Sequence, residues 1–115
     1  MAKKLMTPAS VKRELRKIGD RVRAARLARN LPMQIVAERA MTTRQTIGRI
    51  EAGDPRVSFG TVLATLNALG LLDTVAGVAA PANDPVADMR AAELRHRRAR
   101  LPSTTSRNRT SEDGT

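Results

Sequence analysis

The chain has 115 residues, enough for one folded domain with tails. Its 21 Lys and Arg against 11 Asp and Glu give a net charge of +10, and with no cysteine and one histidine, His96, it lacks the ligands for disulfides or a zinc site. A single Phe with no Tyr or Trp argues against a surface that stacks single-stranded bases, and no apolar run reaches the roughly 20 residues of a membrane span.

The first 30 residues carry ten basic and two acidic side chains. Within them Val11, Leu15, Ile18, Val22 and Ala25 recur at helical spacing, with Lys12, Arg13, Arg16, Lys17, Arg21 and Arg23 off that stripe. Thr7 is the expected cap and Pro8 the first turn, Gly19 is a point where the helix can break, and Asn30 ends it. No apolar stretch of the length a secretory signal requires follows the charges of the opening residues, so a cytoplasmic protein is expected.

Residues 31–80 are electrically balanced, with four side chains of each sign. Pro32 opens a second helix over about 32–40, with Val36, Ala37 and Ala40 inward. After a turn at Met41 and Thr42, Thr43 caps a third helix reaching Ala52, with Ile47 and Ile50 inside. Gly53, Asp54 and Pro55 stop it, Ser58 caps a fourth helix with Val62, Leu63, Leu66 and Leu69 as its stripe, and Gly70 ends that. Leu71, Leu72, Val75 and Val78 suggest a short fifth helix, and no segment alternates as a strand does.

Pro81, Asn83 and Pro85 read as a linker. The stretch Val86–Leu101 has a helical composition but little core face, because Arg95, His96, Arg97, Arg98 and Arg100 crowd its end. Pro102 to Thr115 is polar and rich in Ser and Thr, which predicts disorder. The expected organisation is a basic helical extension over 1–17, a domain over 18–79, and a linker, arginine-rich segment and tail over 80–115.

A neutral middle with cationic ends suits a polyanionic partner, and nucleic acid is the commonest. Residues 37–53 sharpen this. Two short helices joined by a tight turn need a small residue at their crossing, and Ala37 supplies it. The outer face of the third helix then carries Arg44, Gln45, Gly48 and Arg49. An Arg fork matches guanine O6 and N7, Gln matches adenine N6 and N7, and Gly48 lets the backbone approach a groove. Thr43 and Thr46 are placed for phosphates at a helix start.

With these pieces assembled, residues 18–70 resemble the Xre, lambda-repressor-like helix-turn-helix family. The resemblance is carried by Ile18–Arg26, Leu31, Ala37–Ala40, Thr43–Ile47, Ile50–Gly53 and the leucine-rich helix after Ser58. It implies an all-α, five-helix lambda-repressor-like domain binding double-stranded DNA as a homodimer, with no cofactor and no catalysis. It places Arg44, Gln45 and Arg49 at base-contacting positions and Arg56 at a backbone-contacting one, and it implies a bracing ion pair between Arg26 and Glu51. Pro32 and Met33 depart from the family, which has Ser or Thr then a phosphate-touching Gln there; only Gln34 is nearby. Met41 stands where the turn usually has Gly, which costs on the order of 1–2 kcal/mol if its φ is positive.

Leu71, Leu72 and Val75 are the expected dimer surface. The segment from Glu51 to Leu71 also looks like the antitoxin of HipA/HipB-type modules, whose partner is a kinase-fold toxin. The arginines at 95–100 admit three readings: wrapping DNA, docking an acidic protein, or plain solvation.

Overall fold

The computed structural model describes residues 6–100, and among them every regular element is helical. Five α-helices occur: α1 (Ala9–Ala28), α2 (Met33–Arg39), α3 (Arg44–Glu51), α4 (Phe59–Ala68) and α5 (Pro85–Arg100). They fall into two compact units that divide between Ala76 and Gly77. The predicted disorder of Pro102 to Thr115 lies outside the described residues.

The first unit is built around α3. Both α1 and α2 pack on it, and α4 packs on α2. Val22, Val36, Ala37, Ile47, Ile50 and Leu69 form the buried core, one or two from each of α1, α2 and α3 and the last from the C-cap of α4, with Leu31, Met33, Val57, Val62, Leu66 and Leu71 partly buried against it. Ala37 has no exposed surface, as a close crossing of α2 and α3 requires.

All four helices of this unit end the same way. The residue after each C-cap is left-handed: Asn30 (φ 53°), Met41 (58°), Gly53 (78°) and Gly70 (75°). In each case the next residue's N–H reaches back to the carbonyl five positions earlier: Leu31 to Arg26 at 3.1 Å, Thr42 to Ala37 at 2.9 Å, Asp54 to Arg49 at 2.9 Å and Leu71 to Leu66 at 2.7 Å. These are Schellman endings, which satisfy carbonyls the helix leaves free. The helix starts are less uniform. Thr43 and Ser58 cap with their side chains, accepting the N–H of Thr46 and of Thr61, each at 3.1 Å.

Four expectations need correction. Gly19 does not break α1, which runs through it without interruption. It is instead the contact point with α3: a Cβ there would lie 2.6 Å from the carbonyl oxygens of Ile50 and Glu51. Thr7 does not cap α1; Pro8 occupies that position and no side chain caps the helix. The short fifth helix of the domain is only one 3-10 turn, Leu72–Val75, and Leu71 is spent on the core rather than left for a dimer surface. Finally, Leu63 is half-buried but not packed on the core, and α4 contributes Thr65, fully buried, with its hydroxyl donating to the Thr61 carbonyl at 2.9 Å.

The second unit holds a 3-10 turn at Pro81–Asn83 followed by α5. The Asp84 carboxylate accepts the Val86 N–H at 3.0 Å with Pro85 in the first helical position, a strong helix start. None of residues 77–100 is buried.

Candidate nucleic-acid interface

The site begins from the way α3 is held. Arg26, in the last turn of α1, meets Glu51, the last residue of α3, through two hydrogen bonds: Nε to Oε2 at 2.7 Å and NH2 to Oε1 at 3.0 Å. Its NH1 donates to the Leu31 carbonyl at 3.1 Å. Both side chains are buried, at 9% and 5% exposure, so the pair ties α1, the α1–α2 loop and α3 together away from solvent. The Glu51 hydrogen bonds, with its charge, raise the Arg26 guanidinium above its ordinary value despite burial.

With Ile47 and Ile50 buried on one side, the opposite side of α3 faces solvent. Arg44, Gln45 and Arg49 are all exposed on it. None of the three makes a side-chain hydrogen bond to the described residues, so their donors are free. Between them Gly48 leaves the helix surface low, since a Cβ there would meet nothing within 4 Å. A planar guanidinium, a carboxamide and a second guanidinium on one bare helix face make a set suited to base edges in a major groove.

Beside this face lies a polar concavity of about 340 Å³, lined by Thr42, Thr46, Arg49, Asp54, Arg56 and Ser58 among others. Two similar hydroxyl pairs stand at it, Thr46 lining it from one and both Ser58 and Thr61 from the other. Thr43 and Thr46 hydroxyls are 2.9 Å apart, and those of Ser58 and Thr61 are 2.7 Å apart. Each pair spends one hydroxyl hydrogen internally and keeps one for an acceptor such as a phosphate oxygen. The start of α3 and the start of α4 therefore open on the same hollow.

Arg56 sits on its rim but is not free. Its backbone N–H donates to Asp54 Oδ1 at 2.9 Å, its Nε to Oδ1 at 3.0 Å and its NH2 to Oδ2 at 2.9 Å. These bonds, side chain first, pull the Asp54 carboxyl down to about 2, with a smaller attraction from Arg49. Asp54 thus brings a negative charge into a surface otherwise cationic, and sequence reasoning missed it. The signal was present as an Asp two residues before an Arg in a tight loop, but such pairs are common and no periodicity marks them. Gln34 stands on the exposed side of α2, with only a long 3.4 Å contact to Glu38, and Met33 beside it turns into the core.

Among the described residues no three His, Asp or Glu side chains gather as metal ligands would, and no helix is long and apolar enough to cross a membrane. Residues 17–76, more than half of the chain, match a family model described as a helix-turn-helix domain. No curated protein and no solved structure is matched.

Proposed function

The chain belongs to the helix-turn-helix domain family, and from that premise we propose that it is a sequence-specific transcriptional regulator of the Xre, lambda-repressor-like type. In this reading α3 enters the major groove, Arg44, Gln45 and Arg49 read base edges, Thr43, Thr46 and Gln34 contact the backbone, and Arg56 does so through the NH1 group that its bonds to Asp54 leave over. The observation that supports it best is the bare outer face of α3: its polar side chains are exposed and unpaired while its inner face is buried and braced by Arg26 and Glu51.

The protein acts as a repressor on a two-fold operator, as a dimer with recognition helices ~34 Å apart. Of Leu71, Leu72 and Val75, Leu72 is the one left exposed and available for a partner copy. Gel-shift titration against the gene's upstream region, with operator selection from random DNA, tests the reading. Replacing Arg44 with Ala should lose about 1–3 kcal/mol of discrimination at one base pair. Binding indifferent to sequence at every salt concentration would sink it. The antitoxin reading rests on residues 51–71 alone, and a kinase-like neighbouring gene is its first requirement.

A further inference from the structure

The described part of the second unit presents a puzzle of stability. None of residues 77–100 is buried, yet α5 runs for 16 residues. An isolated helix of that length is marginal in water. Its start is well capped, but its length calls for a partner.

The charge distribution says what kind. Asp84 and Asp88 stand at its first turn and Arg95, Arg97, Arg98 and Arg100 in its last two. This polarity suits the helix dipole, but a dipole is answered by one or two cations within the last turn. Four arginines exceed that need and repel one another.

Their directions narrow the choice further. At about 100° per residue the four guanidinium groups fall near 0°, 200°, 300° and 140° around the axis, with His96 near 100°. No side of this half-helix is apolar. Val86 and Met89 lie near its start, exposed, and Leu94 just before the arginines. Docking on a protein surface uses one face of a helix. A helix that is cationic all round fits a cleft with negative charge on both walls, and the grooves of a DNA duplex are such clefts.

We infer that the C-terminal half of α5 is a second DNA-contacting element, seated in a groove outside the base pairs read by α3 and bonding phosphates through Arg95, Arg97, Arg98 and Arg100. The inference rests on the DNA-binding reading above, but it uses different residues and a different kind of contact. It holds α5 to phosphates and assigns it no base preference. His96 takes part indirectly, since its Nε2 lies 2.7 Å from Arg100 NH2 and fixes that side chain.

The test uses the full chain, its variant with all four arginines changed to Gln, and an operator duplex extended on both sides. Counterion release gives about 0.9 in the slope of log Kobs against log[salt] for each phosphate bonded, so the variant's slope should be shallower by about 2–4. Hydroxyl-radical protection should shrink at the flanks, while the ratio of operator to scrambled-sequence affinity holds within about twofold. Thermal unfolding should not move, because none of the four side chains is buried. A slope and a footprint both equal to wild type overturn the inference, whatever α3 does. If instead the slope flattens while wild type shows no sequence preference, the arm stands and the reading of α3 fails.

Discussion

Two charged pairs in this protein look alike as contacts and differ in what they do, because their surroundings differ. Arg26 and Glu51 are shut away from water, so removing one partner strands a buried charge. Arg26→Met should cost about 3–5 kcal/mol, while Arg26→Met combined with Glu51→Leu should cost clearly less, since paired replacement of a buried ion pair is often near neutral. Chemical denaturation of both variants measures this; equal losses would mean that packing, not charge, dominates. Arg56 is 74% exposed, so its pair with Asp54 contributes little to stability. Its effect is electrostatic and local. The Asp54 carboxyl, lowered from 3.8 to about 2, should titrate by carboxyl NMR near that value, and Arg56→Gln should return it toward its ordinary range. The sign follows: whatever the pair contributes is complete above about 4 and is lost as pH falls through about 2. The Arg26–Glu51 pair was legible through a family resemblance. The Asp54–Arg56 pair was not, because a two-residue spacing in a loop carries no pattern until the backbone brings the groups together.

At the scale of elements, the third and fourth helices were legible at both ends for a physical reason. Thr43 and Ser58 offer oxygens to orphan N–H groups, and Gly53 and Gly70 accept left-handed backbone that other residues resist. The first helix was read less well at its start, where Pro8 caps without a side chain, and its Asn30 ending follows from the tolerance of Asn for the left-handed region. The short segment after Gly70 misled for another reason: apolar spacing over eight residues does not separate an α-helix from one 3-10 turn with a core-facing leucine. Met41 is the informative exception. It holds φ 58° in the turn between α2 and α3 with 93% of its surface exposed, so its side chain returns almost no packing. Met41→Gly removes the steric cost and should stabilise the protein by about 1 kcal/mol, raising Tm by several degrees. A lower Tm would mean that the glycine's added freedom in the unfolded chain outweighs the relief.

For the whole molecule, burial is concentrated on one side of the division at Ala76. Among the described residues every buried one lies between Gly19 and Leu69, and none between Gly77 and Arg100. Hydrogen exchange should therefore show two classes of helical amide: those of α1, α3 and α4 opening only with global unfolding, and those of α5 exchanging near the rate of an isolated helix. Uniform protection across both would contradict it. The buried side also makes the protein's behaviour under random mutation easy to misread. Gly19 is buried, and any codon change that adds a side chain there drives a carbon into the carbonyls of Ile50 and Glu51, at the foot of the helix carrying Arg44 and Arg49. If Arg44 and Arg49 contact DNA as proposed, a genetic screen scored by lost DNA binding would return Gly19 beside them, as though all three touched it. Protein abundance in the same colonies separates them, because the arginine variants persist while the Gly19 variants are cleared.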